Sequence, residues 1–61
     1  MSMFKVMYKK IDSNGKIIEF SDDSIFFPTK KDAQKFVNRM RYQAKKEGYT
    51  ISAYIFEFEN N

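Results

Sequence analysis

Four groups of residues in this 61-residue chain have the types and spacing to do chemistry. Two are acid pairs, Asp22 with Asp23 and Glu57 with Glu59. Paired carboxylates serve acid–base catalysis or hold a divalent cation. Asp22 and Asp23 sit between Ser21 and Ser24, where Asp side chains ordinarily bond the local turn backbone. Glu57 and Glu59 alternate near the end of the chain and read as solvated. Neither pair is joined by a nucleophile with a base, and the two glycines, Gly15 and Gly48, form no phosphate-cradling loop. Cys and His are both absent, which excludes disulfides and the common zinc sites. No catalytic residue, metal site or cofactor is expected, and the chain reads as a protein that is not an enzyme.

The third group is basic. Between Thr29 and Gly48 the chain holds seven Lys or Arg against Asp32 and Glu47, a local excess of five. Elsewhere it holds four Lys against six acids, a net of minus two, which accounts for the overall +3. The basic character therefore belongs to one element. At roughly 100° per residue, Lys31, Lys35, Asn38, Tyr42, Lys45 and Lys46 point to one side of a helix, with Arg39 at its edge. Lys31, Lys35, Asn38, Arg39, Tyr42 and Lys46 are the candidate contacts for an acidic protein surface or for phosphates.

The fourth group is apolar. Met7, Tyr54, Phe56 and Phe58 fall on the strand face opposite the one that a helix would cover, together with Ile11 and Ile17. One helix cannot cover both sides of a sheet. An exposed apolar patch of this kind marks a homodimer or partner interface. Stacking of bases on these aromatics is a further reading, weakened by the acids Glu19, Glu57 and Glu59 nearby.

The elements that position these groups are legible in order. Met3 to Ile11 alternates as a strand, and Asp12-Ser13-Asn14-Gly15-Lys16 is a turn. A two-residue turn on Asn14-Gly15 pairs Lys9 with Phe20. A three-residue turn with Gly15 left-handed pairs Asp12 with Lys16, Lys9 with Glu19 and Tyr8 with Phe20. The second register is favoured, because it sets Phe4, Val6, Tyr8, Ile18 and Phe20 on one face. Ser21-Asp22-Asp23-Ser24 is a polar turn, and Ile25-Phe26-Phe27 is a brief strand or an extended lead-in ahead of Pro28.

Thr29 is the helix N-cap with Asp32 three residues on, and Gly48 is the left-handed stop after Lys45 and Lys46. Ala33, Phe36, Val37, Met40 and Ala44 form the buried stripe. Tyr49 to Glu59 is the last strand, with Ile51, Ala53 and Ile55 turned toward the helix.

The expectation is a single α+β domain over residues 1–61. It has a small, mostly antiparallel sheet of three or four strands, in hairpin, helix, strand order, with one helix on one face. Seven Phe and four Tyr are enough for a compact core. No apolar run is long enough to span a membrane, and no signal segment is visible, so a cytoplasmic protein is expected. The leading functional expectation is a non-enzymatic protein-binding module, an accessory factor or inhibitor of phage or mobile-element type. Heavy use of Lys, Asn, Ile, Phe and Tyr, as in AT-rich genomes, accompanies that reading. The alternative is a nucleic-acid-binding protein using the basic helix face. A homodimer through the outer sheet face is expected with either.

Overall fold

A computed structural model of the chain describes residues 2–22 and 25–59. Four strands and one helix follow in the order β1 (Ser2–Ile11), β2 (Ile17–Phe20), β3 (Phe26–Phe27), α1 (Lys30–Glu47) and β4 (Thr50–Glu59). All strand pairings are antiparallel and all involve β1. The helix packs on one face of this sheet, so the chain is an α+β fold.

A strand has two edges, and β1 has three partners. β4 occupies one edge along the whole of β1, from Ser2 opposite Glu59 to Ile11 opposite Thr50. β2 and β3 share the other edge. β2 pairs near Lys9–Ile11, and β3 pairs at Phe4 and Lys5. Between them Ser21 carries the ladder. Its N–H donates to the Tyr8 carbonyl at 2.8 Å, and its Oγ accepts from the Tyr8 N–H at 2.9 Å. The ladder resumes where the Val6 N–H donates to the Ile25 carbonyl at 3.0 Å. Of the polar turn expected at Ser21–Ser24, Asp23 and Ser24 lie outside the described residues.

The hairpin turn forms as the three-residue loop. The Asp12 N–H donates to the Lys16 carbonyl at 2.8 Å, and Gly15 adopts φ 82°. The Asp12 carboxylate accepts from the N–H groups of Asn14 and Lys16, both at 2.9 Å, which locks the turn. The expected register does not continue past it. Ile11 pairs with Ile17, but Lys10 pairs with Glu19 and Lys9 with Phe20. Ile18 is the extra residue of a β-bulge. A single extra residue reverses the faces of everything beyond it. The expected pairs of Lys9 with Glu19 and Tyr8 with Phe20 are therefore corrected. Ile18 and Phe20 do not join the core; they are 53% and 69% exposed.

The helix is capped as its sequence dictates. Thr29 Oγ1 accepts from the Asp32 N–H at 3.1 Å. Gly48, at φ 87°, donates its N–H to the Ala44 carbonyl at 2.8 Å. Ala33, Val37 and Ala44 are buried, and Phe36 and Met40 are half-buried. Val6, Ala33 and Val37 form the centre of the core, with Phe4, Tyr8, Ala53 and Ile55 packed around them. Phe27 closes one side, its ring 5.2 Å from that of Phe36. β3 and β4 both run antiparallel to β1 and flank it, so α1 crosses over β1 to join them. The helix rests on β4, β1 and β3 and leaves β2 exposed at all four residues.

Candidate docking surface

Side chains alternate across a strand, so the pairing decides which residues share the uncovered face. Val6 is fully buried under the helix, which places Lys5, Met7 and Lys9 of β1 on the opposite side. Their partners stand with them. Phe56 and Phe26 flank Lys5, Tyr54 lies opposite Met7, and Ser52 and Phe20 flank Lys9. Phe58, opposite Met3, extends the row. The expected outer residues Met7, Tyr54, Phe56 and Phe58 thus share one face, and the last aromatics are not turned inward, since the β1–β4 register runs unbroken.

Two residues missing from the expected set join this face. Phe26 is there because β3 pairs with β1, and its ring meets that of Phe58 edge-on at 6.1 Å. Phe20 is there because the Ile18 bulge turns it over. Met7, Phe20, Phe26, Tyr54, Phe56 and Phe58 are each between 40% and 69% exposed. Tyr54 and Phe56 lie 6.2 Å apart. Met7, Lys9, Phe20, Ser52 and Tyr54 are among the residues lining an open hollow on this face.

Among the described strand residues, the charges on this face are Lys5 and Lys9. Lys5 Nζ lies 5.7 Å from the centre of the Phe26 ring, a cation–π contact. The strand glutamates stand on the other face: Glu19 is opposite Lys10, Glu57 opposite Phe4, and Glu59 opposite Ser2. Strand alternation alone carried the signal for Lys5 and Lys9. The position of Glu19 required the bulge.

Glu19 instead belongs to a small polar cluster beside the helix end. Its carboxylate lies 3.5 Å from Lys10 Nζ and accepts from the Tyr8 hydroxyl at 3.3 Å. Lys10 Nζ also lies 5.0 Å from the centre of the Tyr49 ring. Partial burial, then the charge of Glu19, raise the Tyr8 hydroxyl above its ordinary pKa. Burial pulls Lys10 down, but contact with Tyr49 and the Glu19 carboxylate more than offset it, and the net shift is upward.

The basic candidates lie on the exposed surface of α1. Lys31, Lys35, Asn38, Arg39, Tyr42 and Lys46 are all exposed. They are not one uniform patch. Lys35 and Arg39 border a groove with Asp32, Phe27 and Phe36 on the β3 side. Lys46 Nζ covers the Tyr42 ring at 5.1 Å, and Asn38 accepts a hydrogen bond from Gln34 at 3.0 Å.

Among the described residues no group of three or more His, Cys, Asp or Glu side chains converges on a metal position. Of the acid pair Asp22 and Asp23, the second lies outside the described residues. No described helix is long and apolar enough to cross a membrane. Comparison of the chain with protein-family models, with curated proteins and with solved structures finds no match in any of the three.

Proposed function

We propose that the protein is a non-enzymatic binding module that docks on another protein through the outer face of its sheet, as an accessory factor or inhibitor of phage or mobile-element type. One observation carries this reading: Met7, Phe20, Phe26, Tyr54, Phe56 and Phe58 stand exposed together on one face. Contiguous apolar surface rimmed by polar groups is characteristic of interaction sites, and aromatics dominate the buried centres of protein interfaces. Lys5 and Lys9, the charged strand residues of that face, favour a partner that brings carboxylates.

The test is capture from nuclease-treated lysate of the native host, with wild type, Phe56→Glu and Lys35→Glu as baits. The expected result is a protein retained by wild type and by Lys35→Glu and lost with Phe56→Glu. Retention by all three baits would overturn the outer face as the docking surface.

Nucleic-acid binding on α1 is the second reading, favoured by Lys31, Lys35 and Arg39 being exposed without an ion-pair partner among the described residues. Its signature is salt: affinity falls by decades between low and physiological salt when several phosphates are contacted. Amide shifts along α1 during titration with short oligonucleotides at low salt are the measurement, and no movement there removes this reading.

A further inference from the structure

The two edges of the sheet are built differently. The β2/β3 edge carries the features that discourage pairing with another chain: strands of four and two residues, a bulge at Ile18, a break after Phe20 and a proline just past Phe27. β4 carries none of them. It is ten residues long, pairs with β1 without irregularity, and contains no proline, lysine or arginine.

Which β4 groups are unpaired follows from the ladder. Val6 and Tyr8 direct their N–H groups to the β2/β3 edge, so Lys5, Met7 and Lys9 direct theirs to β4. Their partners Phe56, Tyr54 and Ser52 point back to β1. Ile51, Ala53, Ile55 and Glu57 therefore present their N–H and C=O groups outward along the free edge.

We infer that β4 pairs antiparallel with β4 of a second copy, joining two sheets into one of eight strands. Centring the pair on Ile55 sets the whole of 51–59 against itself. Ala53 then faces Glu57 of the second copy, Ile51 faces its Glu59, and Tyr54 faces its Phe56. No like charges stand opposite one another along β4. Above this seam, Arg41 and Lys45 flank a groove with Tyr49, Thr50 and Ile51. The second copy's Glu57 and Glu59 arrive on that same helix-side face and supply the opposite charge, twice by symmetry. Lys5 and Lys9 lie on β1, away from the seam, whereas a face-to-face dimer would bring them against the same positive charges of a second copy. The edge dimer leaves the outer aromatic face open and doubles its area.

The experiment is light scattering across a concentration series on wild type, Glu57→Pro and Met7→Glu. Proline at 57 removes an outward N–H and the Glu57 carboxylate, both assigned to the seam, and takes no N–H from the β1–β4 ladder. The expected result is a dimer for wild type and Met7→Glu, and a dimer dissociation constant at least tenfold higher for Glu57→Pro. A wild-type monomer at high micromolar concentration overturns the proposal. So does a dimer that survives Glu57→Pro and is lost with Met7→Glu. Amide exchange on wild type is independent of variant folding. Ala53, Ile55 and Glu57 amides should gain protection as concentration rises, while Tyr54 and Phe56 are protected throughout. Rapid exchange at Ala53, Ile55 and Glu57 in every dilution overturns the seam.

Discussion

Lys9 lies directly opposite Phe20 across the β1–β2 hairpin, one residue out of step with the pairing that the turn itself sets up. Ile18 absorbs the difference. The same bulge carries Phe20 to the outer face and Glu19 to the side of Tyr8 and Lys10. Deleting Ile18 removes the extra residue and leaves every other pair in place. The shortened hairpin should fold with stability within about 1 kcal/mol of wild type, since the residue is exposed and unpaired. Cross-strand NOEs between Lys9 and Phe20 should persist. Loss of cooperative unfolding in this variant would show that Ile18 holds the core after all.

Phe20 supplies the complementary test. At 69% exposure it contributes little to folding, so Phe20→Ser should shift stability by roughly 0.5 kcal/mol or less. An unfolding free energy lowered by several times that amount, from chemical denaturation, would place the ring in the core.

The helix phase makes a sharper contrast. Val37 is 2% exposed and packs against Val6. Val37→Ala should cost roughly 2 kcal/mol, from two lost methyl groups plus the cavity they leave. Lys35→Ala, on the exposed side, should be nearly neutral. Chemical denaturation of the two variants should separate them clearly; equal midpoints would contradict the packing of α1 on β1.

Helix capping is testable alone. Thr29 Oγ1 satisfies the Asp32 N–H, and Thr29→Ala removes that acceptor. The expected loss is about 1 kcal/mol. Thr29→Ser, which restores the hydroxyl, should recover most of it. A serine variant no better than alanine would mean the hydroxyl plays no capping role.

Alkaline pH should weaken the fold. Tyr8 and Lys10 are both raised in the folded chain, above ordinary values of 10.0 and 10.5. The folded state then binds protons more tightly than the unfolded state in that range, so stability is complete below about pH 10 and falls as pH rises through the folded values. Glu19 raises both groups, so Glu19→Gln should flatten the decline. Thermal melts from pH 8 to 11 would show it, and identical curves for the two proteins would remove Glu19 as the cause.

What the residues determined by themselves was local. Thr29, Asp32 and Gly48 marked the helix because caps act within one turn. Ala33, Phe36, Val37, Met40 and Ala44 marked its buried stripe because the helical period is intrinsic to the backbone. Asp12 and Gly15 marked the turn, and alternation placed Met7, Tyr54, Phe56 and Phe58 on the uncovered face. Tertiary structure decided the rest. The bulge at Ile18 has no local signature: both registers satisfy the turn, and only pairing along β1 selects between them. Phe26 reached the outer face because β1 offered a free edge segment beyond Ser21, a contact spanning some twenty residues of sequence. β4 became an open edge because β1 has only two sides and the divided strand took the other. Hydrogen-bond valence, a property of the assembled sheet, thereby brought Phe26 to the outer face and left β4 as the open edge.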